Sequence, residues 1–140
     1  KGYLQYEISN FSKKSFESRH NLKYWRCEEY LGIGAAAHSF VDGKRFYYER
    51  SIDDFVKGIP PVDDGLGGDE EEYIMLALRL SEGLIFENYE NRFGKPISKS
   101  VIEKAEELEK HGLVKVTDNN ISLTVDGFLV SNSVICELSD

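Results

Sequence analysis

Residues 3–11, YLQYEISNF, set Tyr3, Gln5, Glu7 and Ser9 against Leu4, Tyr6 and Ile8 in an imperfect alternation. A period of two predicts a strand with one face on a core. Residues 12–26 follow neither a helical nor a strand period and read as irregular loop. Two apolar runs in EEYLGIGAAAHSFVDGKRFYYER then flank Asp42-Gly43, a dipeptide that accepts the positive φ angles of a type I′ turn, so a hairpin is expected. SIDDFVKGI predicts a short helix with Ser51 as its cap and Asp54 at the third helical position. Between Ile59 and Asp69, IPPVDDGLGGD holds two prolines, three glycines and three acids without apolar periodicity, which predicts a linker over 61–68.

Beyond it the pattern is more regular. Tyr73, Leu76, Ala77 and Leu80 recur at helical spacing behind a run of acids and ahead of Gly83. Phe86, Tyr89 and Phe93 share the face of a second helix stopped by Gly94. A third is expected from Ser100 and Glu103, read as a capping box, with Val101, Ala105 and Leu108 as its stripe and Gly112 as its end. LVKV and ISL read as strands joined through Asp118-Asn119-Asn120. One last helix is expected from about Thr124, carrying Phe128, Val134, Ile135 and Leu138. The fold class expected is α+β. A small strand and hairpin unit over 1–60, too slight to fold alone, precedes a winged-helix-like helical domain over 69–140.

Composition narrows the function classes. With 41% hydrophobic residues in 140, a packed core is expected rather than disorder. No long apolar run marks a membrane span or a secretion signal, so the expectation is a cytoplasmic protein. Cys27 and Cys136 are far apart and suit two reduced thiols. Residues 1–60 hold ten Lys/Arg and eight Asp/Glu, net +2, whereas 61–140 hold seven and seventeen, net −10. That acidic half, with more acids than lysines even in its third helix, argues against nucleic acid as a partner.

Four places offer chemistry. Gly32, Gly34 and Ala37 satisfy a G-x-G-x-x-A pattern, but strand and turn follow where a dinucleotide fold needs a helix, so close backbone packing is expected there. His111, at a helix end, suits the last carbonyls. His38 follows the small residues of GAAA, where its ring either packs or faces a cleft. RHNLKYW is the densest cluster. Haem iron needs an axial ligand, its macrocycle flat contacts and its propionates cations, and His20, then Tyr24 and Trp25, then Arg19 and Lys23 are of those types. The same cluster also suits plain packing.

YEISNF, SRHNLKYW, YLGIGAAAHSF, LRLSEG, LEKHGLV and LTVDGFLVSN stand here in the order in which similar motifs occur in the C-terminal third of the oxygen-independent coproporphyrinogen III oxidase-like proteins, a radical S-adenosylmethionine family. HNLKYW resembles the H-N-x-x-Y-W signature of its HemW-type haem chaperones. The resemblance implies a remnant of a partial (β/α) barrel over 1–60, whose N-terminal radical SAM domain, absent here, would hold a [4Fe-4S] cluster and S-adenosylmethionine. It implies haem binding by His20 as iron ligand, with Asn21, Tyr24, Trp25 and Arg19, and a haem-accepting respiratory protein as partner. His38 and Gly34 would border the S-adenosylmethionine site. Relatives write GAGAHS where this chain has GAAAHS, a departure at Ala36. Two other readings stay open: a fragment of a true decarboxylating oxidase, and a module over 69–140 that docks a partner protein.

Overall fold

A computed structural model describes residues 2–139. The expected opening strand is a two-residue hairpin instead, β1 (Leu4–Gln5) on β2 (Phe11–Ser12). The chain turns because Glu7 leaves the ladder to bridge Leu80, while the Gln5 amide donates to the Ile8 carbonyl. Residues expected as loop contain a helix, α1 (Arg19–Trp25), capped by the Ser18 hydroxyl, which accepts from the Asn21 amide. It has no fully buried residue, so no apolar stripe marks it in sequence.

The hairpin is as expected: β3 (His38–Val41) pairs antiparallel with β4 (Lys44–Tyr47), and Asp42 and Gly43 take φ of 51° and 70°. α2 (Ile52–Val56) is capped by Ser51, whose hydroxyl accepts from Asp54. The stretch expected as linker forms strand β5 (Val62–Leu66) on β4. Backbone pairing holds β5 without burial, since all five residues are exposed. Asp63 and Asp64 lie along it, and charge on an edge discourages further strands.

α3 (Glu70–Ala77) starts on Asp69, and β6 (Leu84–Ile85) leads into α4 (Phe86–Phe93), which ends on left-handed Gly94. α5 (Lys99–Lys110) begins before the expected capping box. Ser98 is its cap, accepting from the Val101 amide, while Ser100 hydrogen-bonds the Ser98 hydroxyl. β7 (Val114–Val116) and β8 (Asn120–Leu123) pair antiparallel, and β6 joins the far edge of β8, giving the order β6-β8-β7. The last helix is two, α6 (Val125–Leu129) and α7 (Ser131–Ser139), because Val130 departs to φ −120° between them. Gly127 has no room for a side chain: a Cβ there would lie 1.9 Å from the Leu113 carbonyl oxygen.

The core lies where these last elements meet, among Ile74, Leu78, Leu84, Tyr89, Ile121, Val134 and Leu138. Before Tyr73, Cys27 and Phe40 are the only apolar residues fully buried in it among those described. Polar bonds tie the first half to α3, α4 and the turn before β6. Arg45 meets Glu72 at 2.5 Å, Arg26 meets Glu82 at 3.0 Å, and Arg92 donates to the Cys27 carbonyl at 3.1 Å. No described helix is long and apolar enough to cross a membrane.

Candidate functional site

Helical spacing brings His20 and Tyr24 onto one face of α1, one turn apart. Their rings meet edge to face at 4.8 Å, and the Tyr24 hydroxyl lies 2.8 Å from His20 Nε2. Tyr24 is braced in turn by Tyr30, 4.5 Å away and nearly perpendicular. His20 is itself exposed, and Nδ1 has no protein partner among the described residues. The imidazole is therefore oriented at one nitrogen and open at the other. Arg19 stands exposed beside it, Asn21 is half-buried, and Lys23 pairs loosely with Glu28 at 3.7 Å.

Trp25 is placed differently. Arg79 stacks over its indole at 5.4 Å, and its Nε1 is buried without a hydrogen-bond partner in the described residues. The same is true of one oxygen of Glu7, a carboxylate 1% exposed whose other oxygen accepts from the Ser9 amide. Sequence reasoning missed Tyr30 and Arg79 as neighbours of this helix, and Glu7 as a buried carboxylate. YEISNF carries Glu7 and LRLSEG carries Arg79 and Glu82, but nothing in either stretch marks these contacts.

His38 lies apart from this group as far as direct contacts show. It opens β3, is exposed, and stacks on Tyr47 at 5.2 Å. With Ala36, Tyr48, Glu49 and Arg50 the two rings line a cavity of about 300 Å³. Close packing explains Gly32: a Cβ would come 2.2 Å from the His38 carbonyl oxygen, and its amide donates to buried Ser39. Gly34 adopts φ 121° with open space around it. Both cysteines are free. Burial pushes the Cys27 thiol up, with the Arg92 guanidinium opposing, so it is a poor thiolate at neutral pH. Among the described residues no group of His, Cys, Asp and Glu gathers to hold a metal ion by itself.

Residues 70–130 match the HemN C-terminal domain. The heme chaperone HemW of Lactococcus lactis subsp. lactis is 34% identical over 139 residues, covering 95% of this chain and 37% of that protein. HemW of Bacillus subtilis is 33% identical over 141 residues with the same coverages. Among solved structures, coproporphyrinogen III oxidase HemN from Escherichia coli, a radical SAM enzyme, superposes with a TM-score of 0.66 at 16% identity, over 99% of this chain and 37% of its own. The chain thus spans little more than a third of these relatives. With residues 70–130 matched to the HemN C-terminal domain and HemW sequences aligned along nearly all its length, the chain carries a HemN C-terminal-type domain and resembles the corresponding third of the HemW proteins.

Proposed function

We propose that this chain is the C-terminal part of a cytoplasmic radical SAM protein that carries haem as cargo, and that α1 offers the His20 imidazole to the iron. The observation that carries the reading is the exposed His20 ring with Nδ1 free. A ligand histidine works best when its second nitrogen is held, and the Tyr24 hydroxyl holds Nε2 here. Arg19, exposed and in no ion pair among the described residues, suits a propionate. Asn21 stands beside them on the same helix. Trp25, pinned by Arg79, anchors α1 rather than lying against the macrocycle.

The barrel reading gives residues 1–60 the rim of a larger sheet, with the [4Fe-4S] cluster and S-adenosylmethionine held upstream and His38 and Gly34 bordering that site. The left-handed turn before His38 and its aromatic cavity support a ligand wall there. The order α3-β6-α4-α5-β7-β8, with β6 added to the β7-β8 ribbon, supports a winged-helix-like cover over 69–140. A respiratory haem protein is the acceptor this reading calls for.

Haem titration tests it. Addition of haem to the 140-residue chain should shift the Soret band with one-to-one stoichiometry, and His20→Ala should abolish that shift while circular dichroism stays unchanged. Tyr24→Phe should keep the spectrum but weaken binding about threefold to tenfold, the worth of one orienting hydrogen bond. A Soret shift that survives His20→Ala rules out α1 as the haem site.

A further inference from the structure

Between α5 and α7 runs a groove of about 570 Å³. Its floor is apolar, made by Leu108, Leu113, Val130 and Val134. Its walls carry acids on both sides, Glu103 and Glu107 on α5 and Glu137 on α7, with Lys104 and His111 also on the α5 side. Glu107 is occupied by Lys110 at 2.6 Å, but neither Glu103 nor Glu137 has an ion-pair partner among the described residues. At the groove's end Val130 is 45% exposed and its neighbour Leu129 is 80% exposed, so apolar surface continues past the break between α6 and α7.

An apolar channel between two helix walls fits a third helix laid along it, read by side chains at i, i+3, i+4 and i+7. Three carboxylates against the one lysine, Lys104, leave the lining acidic on balance, which favours cations flanking that stripe over acidic or nucleic-acid partners. The surrounding half carries net −10, which draws a basic segment in over a distance of about 8–10 Å at physiological salt. We propose that the α5/α7 groove is a docking site for a basic amphipathic helix of a partner protein. The groove shares no residue with α1, so this inference stands whether or not His20 binds haem.

The probe is a fluorescein-labelled amphipathic peptide of about five helical turns, with a leucine stripe and lysines on both flanks. Fluorescence anisotropy with the 140-residue chain should show saturable binding that weakens as salt rises. Glu103→Lys combined with Glu137→Lys should weaken it about tenfold or more, and the same peptide with glutamate for lysine should not bind. Glu103→Gln with Glu137→Gln, which keeps shape and removes charge, should fall between, and circular dichroism reports that each variant is folded. The proposal is overturned if the double reversal binds as well as the parent, if lysine- and glutamate-flanked peptides bind alike, or if a scrambled peptide of the same composition binds equally. It is also overturned if sedimentation shows a dimer that Val130→Asp dissociates, since a second copy then fills the groove.

Discussion

Ala36 carries a backbone angle that its side chain resists. At φ 64° it lies in the left-handed region, which costs an L-residue with a Cβ about 1–2 kcal/mol. The amide is held there by a bond to the Glu49 carbonyl at 3.1 Å, so the strain cannot relax without losing the turn into β3. A glycine here removes the strain but frees the unfolded chain by about 0.4–1 kcal/mol. Ala36→Gly should therefore stabilise the chain by roughly 0.5–1 kcal/mol, read as a higher urea midpoint at unchanged slope. A lower midpoint would mean that alanine's smaller loss of entropy outweighs the strain. At this scale the sequence was informative about residue type and silent about partners. It named His20 and Tyr24, but the bond between them depends on α1 being a helix. The departure at Ala36 was visible as a letter, whereas its meaning needed the φ angle.

Elements were legible where one face is buried and illegible where it is not. α3, α4 and α5 each show an apolar stripe, and the 38–47 hairpin shows its turn dipeptide. α1 and β5 bury no residue fully, so caps and backbone pairing hold them and periodicity cannot see them. The single break at Val130 escaped because Phe128, Val134, Ile135 and Leu138 keep an apolar content that one helix would also show. Stability of the well-marked elements is open to a direct test at the α3/α4 contact. Tyr89, 2% exposed, donates its hydroxyl to Glu70, which also meets Lys95 at 2.8 Å. Lys95 first, then the Tyr89 hydroxyl, hold the Glu70 carboxyl below its usual range. Burial, reinforced by Glu70, pushes the Tyr89 phenol up from 10 to about 12. Because the folded value is the higher one, this stabilisation is fully present below pH 10 and is lost as pH rises towards 12. Tyr89→Phe should cost about 0.5–1.5 kcal/mol at neutral pH, the net worth of the one hydrogen bond its hydroxyl gives up. The gap from the parent should close across that alkaline window in denaturant titrations, and a constant gap would assign the loss to packing instead.

The two halves of the molecule differ in how they meet water. The second half supplies nearly all the core, while the first leaves Tyr3, Leu4, Phe11, Phe16, Leu31 and Ile33 exposed, a concentration of apolar surface that free-standing domains avoid. This is the half that reads as the rim of a larger sheet, and the chain spans only 37% of its HemW relatives. If that face packs on the preceding domain, the same substitution must have two different costs. Ile33 is 82% exposed, so Ile33→Asn should change the stability of the 140-residue chain by no more than about 0.5 kcal/mol. In a longer protein of the proposed kind, with a barrel domain packed on this face, it should cost about 1.5–3 kcal/mol, the worth of a buried isoleucine. Thermal melts of the two forms with and without the substitution read the difference directly. Equal small shifts in both would leave this surface facing solvent in the whole protein and would take the rim reading of residues 1–60 with it, while the α5/α7 groove and the His20 helix would keep their own tests.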